Sequence, residues 1–402
     1  MANNTKIELV AKLIRNRTVF FVVAFAGLSG VLFLALSHAA APTAATEPEQ
    51  GTITSPAVVG TDSTASNGQY VKFGTAAQPP SGFVQVCGIQ LCINNKPFVI
   101  HGATAYGTYS QPATEVALAQ QAKVNTLAIV EFETQYHTLS DTMSEATWSR
   151  VDNFIATAQQ AGLHVEITTS SYAQSLQAAG QTPTTTDWQN YLSFIANRTN
   201  TVTHVQYKND PTIAMVQIWG EICYPGEADT TCPAGTSGTA TDMQNFYHRT
   251  ITEWQALAPN ILITTGGFSH INTATSSGIP WQAIVSDPAN PICDLEVNSP
   301  GDVSGAVNKF TSYCKQIGKP WYLAAWSSCY QDTGYPYYLA TDADMATHAQ
   351  DMYNLEHGMT PSVETAIGSE FWNLRDIGVS AGHCDIGPSY PLTFSTIQSN
   401  AP

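Results

Sequence analysis

The chain has 402 residues, enough for a sizeable core and at most two or three domains, and only 11% of them are Asp, Glu, Lys or Arg. Its formal net charge of −16 argues against a nucleic-acid groove, which needs clustered Lys and Arg side chains. A weakly charged, acidic exterior instead permits a neutral partner such as a carbohydrate.

Residues 1–41 have the features of an export segment. Lys12, Arg15 and Arg17 precede an apolar run over residues 19–36, and small residues follow that run. This order fits a cleaved signal peptide, but an apolar run of this length also suffices for one membrane-spanning helix. With either alternative, we expect the rest of the chain to be secreted or anchored on the outer face of the cell membrane.

Residues 42–80 are rich in Thr, Ser, Ala and Pro and lack hydrophobic periodicity, which predicts a flexible linker.

The eight cysteines are an even number, as expected for disulfides in an oxidising compartment. Pairing neighbours along the chain is one of many connectivities, and it predicts Cys87–Cys92, Cys223–Cys232, Cys293–Cys314 and Cys329–Cys384. We predict no metal site and no cofactor, because neither CxxC nor HExxH spacing occurs.

From residue 81 onward, short apolar runs alternate with segments that have helical periodicity. The apolar runs predict eight strands, at residues 97–106, 124–132, 164–170, 213–222, 261–268, 292–300, 320–328 and 365–374. The clearest predicted helix begins at Ser144 as N-cap, buries a stripe that includes Trp148 and Ile155, and ends at Gly162. Similar stripes contain Trp188 and Met243.

Eight apolar strands separated by helices predict an α/β fold with a parallel sheet covered by helices. Eight is also the number of strands that closes a (β/α)8 TIM barrel, which we predict for residues 81–402. An open doubly wound sheet is the alternative, but it would need a Gly-rich phosphate turn after the first strand, and residues 101–110 do not form one. In such barrels the chemistry gathers at the carboxyl ends of the strands.

Residues from about 81 to 376 resemble glycoside hydrolase family 5, and most closely its endo-β-mannanases. The segment "YLSFIANRTNTVTHVQYKNDPTIAMVQIWGEI" is similar to the helix, turn and fourth strand that carry the family's acid/base glutamate. The segment "IGKPWYLAAWSS" lies where the family has its nucleophile strand, and "AIGSEFWNLRD" lies where it has a sugar-stacking tryptophan. The resemblance implies that Glu221 is the general acid/base and that Trp372 stacks against substrate.

The chain departs from the family pattern at several positions. Gly220 stands where the family has Asn, Ala128 where it has Arg, and Ala325 where it has the nucleophile glutamate. The sixth strand continues as "VNSPG" where the family has His and Tyr. The resemblance therefore implies that the nucleophile position is lost.

Retaining glycosidases need two carboxylates about 5 Å apart, so a second carboxylate must be sought. We predict Glu370, which shares a strand face with Trp372 and lies on the strand opposite that of Glu221. Side chains that reach inward from opposite strands would leave a gap of about 6.5–9.5 Å, the spacing that admits a water molecule for inversion. The alternative is that Glu370 is buried and paired with a polar residue of the barrel. Glu166 and Glu296 lie deeper in their strands, and we expect both to be structural.

We expect a further set of residues at strand ends to contact sugar, because aromatic rings stack on the apolar faces of sugars and polar groups bind hydroxyls. They are Trp219, Trp326, Tyr106, Asn298 and Glu131, in addition to Trp372.

Together these features predict an enzyme that hydrolyses O-glycosyl bonds of a β-linked polysaccharide, either mannan or glucan. We expect a monomer that binds polysaccharide or oligosaccharide, does not bind nucleic acid, and meets the membrane only through its N-terminal segment. Two alternatives stay open. Ala325 favours a carbohydrate-binding pseudoenzyme, and a structural barrel displayed on the cell surface is the third possibility.

Overall fold

The computed structural model describes residues 58–61, 69–72, 81–105, 111–130, 139–220, 222, 238–268, 279–297, 306–333, 338–360 and 363–402. The chain divides into two compact units, residues 1–78 and residues 79–402. The predicted signal or anchor segment, residues 1–41, lies outside the described residues. In the part of the chain that is described, no helix is long and apolar enough to cross a membrane.

The first unit contains a short antiparallel strand pair, β1 (Val58–Thr61) and β2 (Gln69–Lys72). Both strands fall inside residues 42–80, for which the sequence predicted a linker without regular structure. Val59 lies opposite Val71 in this register, and β-branched side chains favour strands. These two segments are strands, and the linker over residues 42–80 stays a prediction.

The second unit begins with a three-stranded antiparallel sheet of β3 (Val84–Cys87), β4 (Gln90–Ile93) and β5 (Lys96–Phe98). Val84 and Leu91 of this sheet belong to one buried apolar cluster with Ile100, Ile292 and Ile367. The three isoleucines lie at the amino ends of barrel strands, so the small sheet covers the amino-terminal end of the barrel.

Eight parallel strands form the barrel, which confirms the predicted fold. They are β6 (Ile100–Thr104), β7 (Thr126–Val130), β8 (His164–Thr168), β9 (Ile213–Gln217), β10 (Leu262–Thr264), β11 (Cys293–Glu296), β12 (Trp321–Ser327) and β13 (Gly368–Trp372). Hydrogen bonds run in the order β10-β9-β8-β7-β6-β13-β12-β11. A bridge between Phe268 and Leu295 joins the two end strands and closes the ring.

Helices cover the outside of the barrel. They are α1 (Pro112–Ala122), α2 (Glu145–Ala161), α3 (Ser170–Ala178), α4 (Gln189–Asn197), α5 (Ala240–Leu257), α6 (Trp281–Ser286), α7 (Ala306–Gln316), α8 (Asp342–Glu356) and α9 (Pro391–Ser399). The Ser144 hydroxyl accepts from the Thr147 N–H at 3.2 Å, and Gly162 ends α2 with φ at 74°. Both predicted ends of this helix are confirmed, and Trp148 and Ile155 are buried as expected.

A buried ion pair fixes the segment that leads into β9. Arg198 donates to both carboxylate oxygens of Asp152 on α2, at 2.9 and 2.7 Å. Tyr207 donates to Asp152 at 2.6 Å, and the hydroxyl of Thr201 does so at 2.8 Å. Because Asp152 is buried and fully hydrogen-bonded, these bonds hold the α4–β9 connection in one position.

Three of the four predicted cysteine pairs are disulfides in the structure. Cys87–Cys92 closes the β3–β4 hairpin, Cys293–Cys314 joins β11 to α7, and Cys329–Cys384 joins the segments that follow β12 and β13. The fourth predicted pair, Cys223–Cys232, lies outside the described residues.

Candidate active site

Alternation along β13 decides which of its side chains enter the barrel. Ser369 and Phe371 point outward, since Ser369 donates to Glu356 of α8 and Phe371 packs against Trp326. Glu370 points inward and accepts from Gln217 of β9 on the other side of the barrel at 3.2 Å. Trp372 follows two residues later, so it lies on the same face as Glu370 and nearer the carboxyl end.

Glu370 is part of a buried polar cluster at the barrel axis. The amide nitrogen of Gln217 donates to Glu166 at 2.7 Å as well as to Glu370. The hydroxyl of Tyr322 donates to Glu166 at 3.2 Å. The four side chains come from β8, β9, β12 and β13, so they tie strands from around the barrel to one another.

Burial controls the protonation of the two acids in this cluster. Loss of water raises the pKa of Glu166 to about 7, against the hydrogen bonds from Gln217 and Tyr322. Burial also raises the pKa of Glu370 well above its usual value, and the charge of Glu166 adds to that effect. Because two like charges in one buried cluster cannot both ionise at little cost, the raised pKa of Glu370 favours its protonated form.

The position of Glu370 favours the structural alternative over the predicted catalytic role. Its side chain is only 2% exposed, and it lies one inner layer below Trp372 instead of at the mouth. A hydrolytic carboxylate must meet both sugar and water, and this one meets Gln217 and Glu166. The alternative interpretation, a buried acid paired with polar barrel residues, is the observed arrangement.

Two of the predicted sugar-contacting tryptophans are also corrected. Trp326 is 0% exposed and packs between Tyr353 and Phe371 on the helix side of the barrel. The register of β12 shifts between Leu323 and Trp326, and this bulge reverses the alternation and turns the ring outward. Trp219 is 6% exposed and packs edge-to-face against Phe246 of α5, so its ring is part of the core between barrel and helices.

At the carboxyl ends of β11 and β12, a glutamate lies beside the alanine that stands at the predicted nucleophile position. Ala325 is half-buried and presents only a methyl group. Its Cα partner in the neighbouring strand is Glu296, the last residue of β11, which is half-buried as well. Asp294 lies two residues earlier in β11, and the N–H groups of Gly266 and Gly267 donate to it at 2.5 and 2.9 Å.

Trp372, a predicted substrate-binding residue, is the last residue of β13 and lies near the mouth of the barrel. Its side chain is half-buried. The Trp372–Asn373 peptide bond is cis. The Asn373 side chain donates to Asp385 at 2.9 Å, and its N–H donates to the Cys384 carbonyl at 2.9 Å. These bonds fix the backbone that follows Trp372. The other predicted site residues, Glu221, Tyr106, Asn298 and Glu131, lie outside the described residues, and their roles stay predictions.

Among the described residues, Cys329, Asp332 and Cys384 bring three potential metal-ligand atoms together. The two cysteines are joined in a disulfide, so neither offers the thiolate that binds metal. This cluster is therefore a structural feature of the segments after β12 and β13.

Comparison with known sequences gives distant relatives, and no family model matches the chain. Mannan endo-1,4-beta-mannosidase 7 of Arabidopsis thaliana is 24% identical over 206 residues, which are 42% of this chain and 45% of that protein. Mannan endo-1,4-beta-mannosidase 3 of the same plant is 26% identical over 182 residues, 37% of this chain and 44% of that protein. The matches thus span less than half the length of these relatives.

Comparison with solved structures extends over more of the chain. The endo-1,4-beta-mannanase of Rhizomucor miehei has a TM-score of 0.60 at 17% identity, covering 79% of this chain and 99% of that one. The endo-beta-1,4-mannanase of Thermotoga petrophila has a TM-score of 0.56 at 17% identity, covering 77% and 78%. These structures share the (β/α)8 fold of the second unit.

Proposed function

We propose that this chain is a glycoside hydrolase that cleaves the O-glycosyl bonds of a β-linked mannan. The observation that carries the proposal is the sequence similarity to two mannan endo-1,4-beta-mannosidases, and the fold that the second unit shares with endo-mannanases agrees with it. The relatives named for the same activity support mannan over glucan as the substrate.

Glu221 is the proposed general acid/base. It follows β9 by four residues in the chain, next to Gly220, at the end of the barrel where such enzymes carry their chemistry. As an acid it would protonate the glycosidic oxygen as the bond to the anomeric carbon breaks, and as a base it would then take a proton from water. Trp372 is the proposed stacking platform for a sugar ring.

Reducing-end release from β-mannan, glucomannan and mixed-linkage β-glucan tests this proposal. We expect release from the mannans, and a loss of about 10²–10⁴-fold in kcat for Glu221→Gln, since Gln cannot transfer the proton. Glu364→Gln is the matched control, because Glu364 precedes β13 at the opposite end of the barrel and pairs with Lys315. An unchanged rate in Glu221→Gln would contradict the assigned role.

A carbohydrate-binding protein without hydrolytic activity is the second candidate, and Ala325 favours it, because a methyl group cannot act as nucleophile. The same assay separates the two functions. No release by the wild type, together with retention on insoluble mannan, would overturn the hydrolase and establish the binding protein.

We also propose that the protein is exported and is either secreted or held on the outer face of the membrane. The three disulfides support an oxidising compartment. The basic residues, apolar run and small residues within residues 1–41 support the route.

A further inference from the structure

We propose that Glu296 is the catalytic nucleophile, in place of the carboxylate that Ala325 does not provide. This inference rests on the proposed hydrolase function. The carboxylate would reach the site from β11, although the sequence predicted a structural role for Glu296.

The strand register places Glu296 beside the deficient position. Glu296 and Ala325 are Cα partners in adjacent parallel strands, and adjacent strands lie about 4.8 Å apart. Cys293 and Leu295 of β11 pack outward in the core between barrel and helices, and Cys293 is bonded to Cys314 of α7. Asp294 and Glu296 therefore share the inner face of the barrel.

Two glycines, Gly220 after β9 and Gly267 after β10, leave room for the Glu296 side chain. A Cβ on Gly267 would lie 2.6 Å from the Glu296 Cγ, and a Cβ on Gly220 would lie 2.8 Å from its Oε1. The carboxylate thus crosses the carboxyl end of β10 and reaches the backbone of Gly220. Glu221 is the next residue in the chain, so the carboxylate of Glu296 lies against the peptide that precedes the proposed acid/base.

Other inner-face carboxylates of the described barrel strands do not have this access. Glu166 and Glu370 share the buried cluster with Gln217, and Asp294 is fully buried and accepts from Thr265 and two backbone N–H groups. Glu296 is half-buried at the end of its strand, so it combines a fixed position with contact to the mouth.

The reaction balances with these two carboxyl groups. A carboxylate oxygen of Glu296 attacks the anomeric carbon, the bond from that carbon to the glycosidic oxygen breaks, and Glu221 gives its proton to the departing sugar. Water then attacks the anomeric carbon of the glycosyl ester, its proton returns to Glu221, and the ester bond breaks to release Glu296 as carboxylate. The product keeps the configuration of the substrate.

The test uses the full chain and three variants, Glu296→Gln, Glu296→Ala and the control Glu364→Gln, with an aryl β-mannoside and soluble β-mannan. We expect kcat to fall by at least about 10³-fold in both Glu296 variants and to stay unchanged in the control. Thermal unfolding of each variant shows whether it folds. Sodium azide should restore aryl release by Glu296→Ala and give the α-mannosyl azide, because azide fills the space of the lost carboxylate and attacks the same carbon.

The outcomes separate this inference from the proposed function. An active wild type with a folded, equally active Glu296→Gln would overturn the role of Glu296 and leave the hydrolase intact. A folded Glu296→Ala variant that stays inactive and yields no mannosyl azide would also overturn it, because a nucleophile site must accept the small anion. A wild type inactive on every substrate would overturn both.

Discussion

The inner face of the barrel gives chemically identical glutamates different properties. Glu370 and Glu166 are buried at the axis, and burial raises the pKa of both carboxyls. Glu296, nearer the mouth, passes Gly267 and reaches Gly220, and both glycines leave space for its side chain. Depth along the strand, and not residue type, separates a structural acid from a candidate catalytic one.

The buried pair makes the stability of the barrel depend on pH. An acid whose pKa is raised on folding stabilises the fold below its unfolded value, about 4.5, and that contribution is lost as the pH rises through the folded value of about 7. Glu370→Gln removes one acid but keeps a group that hydrogen-bonds Glu166. Between pH 5 and pH 8, we expect the unfolding free energy of the wild type to fall by about 1–3 kcal/mol more than that of the variant.

Urea unfolding of both proteins at pH 5, 6.5 and 8 measures this difference. Glu364→Gln should follow the wild type, because Glu364 and Lys315 are largely exposed. Parallel pH profiles for the wild type and Glu370→Gln would show that the two buried acids do not share a proton.

At the scale of elements, the Asp152–Arg198 pair connects α2 to the segment between α4 and β9. Burial by itself would raise the pKa of Asp152, but the hydrogen bonds from Arg198, Tyr207 and Thr201 outweigh it and lower that pKa. This contribution to stability is present above the usual Asp value and is lost as the pH falls through the lowered one. The pair therefore supports the strand that leads to Gly220.

Asp152→Ala is expected to destabilise the fold by about 3–5 kcal/mol, since it leaves the buried Arg198 guanidinium with only Glu145 as a charged partner. Lys315→Ala, which breaks the exposed pair with Glu364, should cost at most about 1 kcal/mol. Urea denaturation of the two variants compares them directly. Equal losses would mean that the buried pair contributes no more than a surface pair.

The helices and the barrel could be predicted from the sequence because the patterns that indicate each helix or strand lie within that element. Ser144 and Gly162 mark the ends of α2, and the spacing of apolar residues identifies its buried face. The site depends on register, which is not local. One extra residue in β12 between Leu323 and Trp326 turns Trp326 outward and aligns Ala325 with Glu296. No pattern within either strand indicates that alignment. From the sequence alone, Glu296 was therefore expected to be structural.

At the scale of the whole molecule, residues 79–402 are a compact unit of their own, and the proposed export signal lies in the other unit. Deletion of residues 1–78 is expected to leave the thermal midpoint of the oxidised protein unchanged, because the barrel and its three disulfides remain. The same deletion should keep the protein inside the cell. Thermal unfolding and cell fractionation measure the two effects, and export of the shortened chain would refute the assigned signal.

The small sheet of β3, β4 and β5 covers the amino end of a barrel whose axis is already filled by side chains such as Gln217 and Glu370. Val84 and Leu91 fill its base together with the isoleucines at the amino ends of the strands. A polymer therefore cannot thread through the ring, and a long glycan has to lie across the rim. In the proposed reaction, sugar, water and product all enter or leave at the carboxyl ends of the strands, so the order in which they do so affects the rate of turnover.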